Sequence, residues 1–111
     1  MSNKILVIIS TADEGKALTG ILYATNTLKN GWLEDVKLIL FGPAEDLALQ
    51  SEAVQQALQG FLQLGQGVMA CKFVADKADL SDRLAHLGLN VDYVGAPIGQ
   101  WIREGYAPMV W

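Results

Sequence analysis

Near its start the chain carries a run in which almost every side chain is apolar, Lys4-Ile5-Leu6-Val7-Ile8-Ile9-Ser10. A strand whose residues alternate has one wet face, whereas an unbroken run needs cover on both faces, as central strands of parallel sheets have. The run predicts such a strand. The period then lengthens from two to 3.6. Asp13 stands where it can cap a helix from Glu14 to Asn30, with Leu18, Ile21, Leu22, Thr25 and Leu28 on one face and Gly31 as the left-handed stop. A second strand, Val36 to Phe41, ends at Gly42-Pro43. Pro43 suits the first turn of another helix, whose positive end Glu45 and Asp46 complement.

The same alternation runs on. From Ser51, the residues Val54, Ala57, Leu58, Phe61 and Leu62 recur at helical spacing until Gly65, and Gly67 to Cys71 reads as a third strand. Lys72 to Ala78 is less regular and leads to a short helix capped by Asp79, with Leu80, Leu84 and Leu87 inward and Gly88 as the stop. Val91 to Val94 is a fourth strand. Pro97 opens a helix carrying Ile98, Trp101 and Ile102 on one face, Gly105 ends it, and Tyr106 to Trp111 is a fifth strand. Pro108 has no N–H to give a ladder, so this last strand belongs at an edge. Strands and helices that alternate through short connections imply right-handed crossovers and a three-layer α/β fold with a five-stranded, mainly parallel sheet. In an open sheet of this kind the ligand site lies beyond the carboxyl ends of the strands.

Composition narrows the picture. At 111 residues, 51% hydrophobic and 18% charged, the chain reads as one domain over residues 1–111 and is excluded from the disordered class. Twelve acidic against eight scattered basic residues give no cationic footprint for nucleic acid. No apolar run approaches the roughly 20 residues that a membrane span needs, and the start lacks a cleavable signal, so a cytoplasmic setting is expected. One cysteine cannot close an internal disulfide, and with a single histidine it falls short of the usual zinc sets. No metal or cofactor is expected. The apolar excess points to self-association, centred on the aromatic group Trp101, Tyr106 and Trp111, with Trp32 as a lesser contributor.

The carboxyl-end rule selects few residues that could carry chemistry. Cys71 ends the third strand, and a helix starting at Lys72 or Phe73 would favour its thiolate, as would the Lys72 charge; the alternative is a small buried hydrophobe. Ser10 and Thr11 end the first strand and could line a site beside Cys71, although such hydroxyls also bond the backbone that follows. Asp13 fits a helix cap better than a general base. His86, near a helix end, fits a capping role. Two phosphate-loop matches fail on context. Gly65-Gln66-Gly67-Val68-Met69-Ala70 lies between a helix and a strand, and Gly15-Lys16 is followed by Ala17 where a metal-binding hydroxyl is needed.

Taken together, Thr11-Ala12-Asp13-Glu14 after the first strand, the Phe41-Gly42-Pro43 turn, Gly67-Val68-Met69-Ala70-Cys71-Lys72 and the closing Gly105-Tyr106-Ala107-Pro108-Met109-Val110-Trp111 resemble the DsrE/DsrF-like (YchN-like) family of small sulfur-relay proteins. The resemblance runs nearly end to end. It implies a flavodoxin-like α/β/α sandwich, assembly as a homotrimer or hexamer, and sulfur carried as a persulfide on Cys71 between donor and acceptor proteins. Ser10, Thr11, Asp13 and Lys72 are then the residues expected to line the site.

Overall fold

In the computed structural model of the chain, which describes residues 3–111, the apolar run becomes β1, Lys4–Ile9. It lies between β2, Asp35–Leu40, and β5, Tyr106–Val110. Beyond β2 come β3, Val68–Cys71, and β4, Asn90–Asp92, giving the order β4-β3-β2-β1-β5 with every pair parallel. The helices are α1, Glu14–Lys29; α2, Pro43–Gln50; α3, Glu52–Leu62; α4, Lys72–Lys77; α5, Ser81–His86; and α6, Gly95–Arg103. This is a three-layer α/β/α flavodoxin-like arrangement. β5 is an edge strand, as Pro108 requires.

Strand order distributes the helices unevenly. From β1 to β4 each new strand is added on the same side, so right-handed crossovers place α1 to α5 on one face; the return to β5 runs the other way and places α6 alone on the opposite face. Side chains follow the pleat accordingly. Ile5, Val7, Ile9, Leu38, Leu40 and Ala70 share a large buried cluster with Ala17, Ile21, Leu58, Phe61 and Leu84. Leu6, Ile39, Cys71 and Tyr106 form a smaller one with Val94, against which Ile98 and Trp101 pack. No residue of α6 is itself buried. One face is crowded and the other is largely open.

Several local expectations change. α1 is rotated from the predicted face: Ala17, Gly20, Ile21, Ala24 and Thr27 face inward, while Leu22 is 60% exposed. Close approach to the sheet decides this, because a Cβ at Gly20 would fall 2.5 Å from Ile9 Cδ1 and 2.6 Å from Trp111 Cγ. The irregular stretch after Cys71 is helical. Asp79 does not cap α5; it takes φ 59 and closes α4, with its N–H donating to Asp76 O (3.2 Å) and that of Leu80 to Ala75 O (2.8 Å). Those two bonds make a Schellman ending, in which a short polar residue tolerates the left-handed position. β4 begins at Asn90 and ends at Asp92, short of Val94, which turns inward. The C-terminal aromatic group is split by the sheet. Trp101 and Tyr106 meet on the open face with ring centroids 6.4 Å apart, whereas Trp111 packs on the crowded face near Gly20.

Candidate functional site

Cys71 ends β3 and occupies the position before the first residue of α4, so the strand-to-helix junction expected from the sequence is present. Its side chain points to the open face and is 5% exposed, within the smaller apolar cluster. Sγ makes no capping bond to the first turn of α4. Because Leu40 pairs with Ala70, Phe41 and Cys71 stand side by side at the ends of their strands. Phe41, Phe73 and Tyr93, all exposed, lie close to Cys71 in the chain or beside it at the strand ends. The thiol is thus a sheltered group at the sheet's carboxyl edge, within a cluster of apolar side chains.

Lys72 points along α4. Its ammonium pairs with Asp76 at 2.9 Å and lies 5.9 Å from the Tyr93 ring centroid. The hydrogen bond from Lys72 to Asp76 and the charge of that carboxylate raise the ammonium above its ordinary value. Asp13 performs the predicted cap, accepting the Lys16 N–H at 2.8 Å. Thr11 Oγ1 accepts the Asp13 N–H at 3.0 Å, the local backbone role foreseen for a hydroxyl there.

Ser10 and Thr11 are not brought together with Cys71. β2 intervenes, and two strand spacings amount to roughly 10 Å. They lie instead at the ends of β1 and β5, where the direction of strand addition reverses. A shallow depression of about 310 Å³ opens there, lined by Ser10, Thr11, Lys16, Val110 and Trp111. The backbone N–H groups of Ser10 and Thr11, which could meet a phosphate, both donate to Trp111 O, at 2.7 and 3.2 Å.

Two features were missed by sequence reasoning. Glu45 is not a solvated helix-end charge but is wholly buried in the first turn of α2. Oε2 accepts the Gly42 N–H at 3.2 Å and Oε1 has no partner. Burial pushes its carboxyl up to about 7 and only the Gly42 bond opposes this. The second feature is a polar cluster on the amino half of the open face. Asp35 accepts from Tyr106 Oη, from Gln66 Nε2 at 2.8 Å and from the Lys37 ammonium at 3.2 Å. Burial raises the Asp35 carboxyl, but the bonds from Tyr106, Lys37 and the Val36 N–H outweigh it and hold the group below its ordinary value. Burial and then the Asp35 bond push the Tyr106 phenol up to about 12. A lysine and an aspartate inside an otherwise apolar second strand were the available signal.

Among the described residues no group of three or more His, Cys, Asp or Glu is placed to hold a metal ion, and no helix is long and apolar enough to cross a membrane.

Two solved structures resemble this one. A conserved protein of unknown function, BT1422 from Bacteroides thetaiotaomicron, superposes with a TM-score of 0.84 and 25% identity over 98% of this chain and 95% of that chain. The YchN protein of E. coli superposes with a TM-score of 0.76 and 18% identity, covering 97% of this chain and 99% of that one. No family model matches the chain, and no curated protein matches its sequence. The fold is YchN-like.

Proposed function

We propose that this chain is a sulfur carrier and that Cys71 is the atom-bearing residue. The observation that carries the reading is the single cysteine at the carboxyl end of β3, at the junction with α4 and sheltered by the open-face cluster; the YchN-like fold supports it. In the step, the Cys71 thiolate attacks the outer sulfur of a donor persulfide, R–S–SH. The new bond joins Cys71 Sγ to that sulfur, the donor S–S bond breaks, and the electron pair leaves with the donor as its thiolate. An acceptor thiolate then repeats the attack on the outer sulfur and releases Cys71. No net oxidation occurs in either exchange.

The sheltered position serves this chemistry. A persulfide held among Val94, Ile39 and Leu6 is shielded from stray thiols, and transfer requires a partner that displaces part of the cover. A reducing, cytoplasmic setting keeps Cys71 free for the first step. The open face also supplies the reason for self-association: a parallel sheet is normally covered on both sides, yet Val110 is 67% exposed and Ile102 47%. A homotrimer or hexamer that covers this face is part of the proposal, and light scattering reads it as three or six times the chain mass. A 12.0 kDa particle at micromolar concentration removes that part.

Intact mass spectrometry after exposure to a small-molecule persulfide tests the carrier reading. A gain of one sulfur atom in the wild type and none in Cys71→Ser is expected; no gain, or an equal gain in the variant, ends it. The depression at the ends of β1 and β5 favours a second reading, a non-catalytic binding module, because it lies away from Cys71. That reading stands if the mass test fails while the assembly persists.

A further inference from the structure

Strand positions beneath a covering layer are apolar in parallel sheets, yet the open face carries Asp35 and Lys37 on β2 and Asn90 on β4, on either side of β3. α6 packs mainly on β1 and β5 and reaches this corner through Trp101. The polar residues there are organised. Asp35 is held by Tyr106, Gln66 and Lys37, and it anchors the Lys37 ammonium from behind. Trp101 and Tyr106 flank the same ammonium, with ring centroids at 5.8 and 5.9 Å. A lysine so restrained loses little further freedom on meeting a ligand.

Beside it lies a cavity of about 140 Å³, bounded by Lys37, Gln66, Gly67, Met69, Asn90 and Trp101. Gly67 lies at the rim. The amide of Asn90 lies close above it, since a Cβ there would sit 2.8 Å from Asn90 Nδ2. Trp101 and Met69 provide the apolar walls, an indole face and a soft thioether that suit an aromatic ring. An apolar cavity of about 150 Å³ holds a benzene. The Lys4 and Lys37 ammonium groups both lie over the Tyr106 ring, at 5.4 and 5.9 Å from its centroid.

The geometry points to a binding site for a small planar carboxylate of about benzene's size, its ring between Trp101 and Met69 and its carboxylate on Lys37 Nζ and Asn90 Nδ2. The site is separate from Cys71 and does not rest on sulfur transfer. Met69 and Cys71 share β3, two residues apart on the same face, so an occupant of this cavity sits one pleat from the thiol.

Benzoate serves as the probe. In the full chain carrying ¹³C-methyl methionine, millimolar benzoate should shift the Met69 methyl resonance saturably, with benzyl alcohol at least about ten-fold weaker for want of the charge. Lys37→Met, which keeps the stem, and Asn90→Ala should each weaken benzoate while Cys71→Ser binds as wild type. An unmoved Met69 methyl overturns the proposal, as does equal binding by wild type and Lys37→Met when both give dispersed native spectra. Loss of binding in Cys71→Ser overturns the independence of the two sites.

Discussion

The two faces of the sheet are built by opposite rules. On the crowded face five helices pack onto aliphatic strands, α1 and α2 through the small residues Ala17, Gly20, Ala24, Ala44 and Ala48, and the polar side chains buried there are Thr27, Glu45 and Ser51. On the open face one nine-residue helix covers only part of the floor, and the remainder holds a thiol at one end of β3 and an ion-paired lysine at the other end of the sheet. Stability and chemistry are thereby separated by the thickness of a β-sheet. In the proposed carrier, the densely packed half is insulated from the half that holds the thiol.

The largest test of that division is Phe61→Ala. A fully buried aromatic on the crowded face should cost about 3–5 kcal/mol in urea unfolding, and Trp101→Ala on the open face should cost clearly less. Equal losses would break the contrast. Next comes pH. Glu45 is protonated in both folded and unfolded chains below its ordinary value of 4.5; between there and about 7 the folded chain keeps a proton that the unfolded chain releases. Stability should therefore fall by about 2–3 kcal/mol as pH rises through that window and then level off. Glu45→Gln should flatten this slope, and a slope unchanged in the variant would assign it to other groups.

Gly20→Ala probes the closest approach on the crowded face. The added methyl overlaps Ile9 and Trp111, so a loss of about 1–3 kcal/mol is expected, with a change in Trp111 fluorescence. The smallest effect on folding belongs to Val110→Ser and Ile102→Ser. Each should alter unfolding by within about 0.5 kcal/mol yet shift the proposed assembly toward single chains in sedimentation velocity. A neutral result in both measurements would leave the open face without a role in assembly.

Much of the fold was legible because Gly31, Gly65, Gly88 and Gly105 close four of the helices and Gly42-Pro43 follows β2. The Ile5-to-Ile9 run demanded two covers and Pro108 demanded an edge, and the sheet supplies both. Cys71 at a strand end was equally visible. What could not be read depends on distances across the fold. The preference of α1 for its small face over its leucines follows from the nearness of Ile9 and Trp111, which no helical period encodes. The separation of Ser10 and Thr11 from Cys71 follows from strand order, and the alternation of strands with helices is the same for many orders. Glu45 looked like a helix-end charge because burial comes from neighbours on other elements. Asp79 looked like a cap because the stretch before it lacked a helical period long enough to need an ending.

The pairing of β5 with β1 has a consequence for how the chain is made. β1 emerges first among the strands, while its partner on one flank, Tyr106 to Val110, emerges about a hundred residues later. Throughout synthesis, then, the most apolar strand of the protein presents an unpaired edge on the side of its missing neighbour, the kind of edge that recruits strands from other chains. A nascent chain halted before Gly105 is an aggregation hazard that the finished one is not, and chaperone occupancy on ribosomes should persist until the last strand has docked.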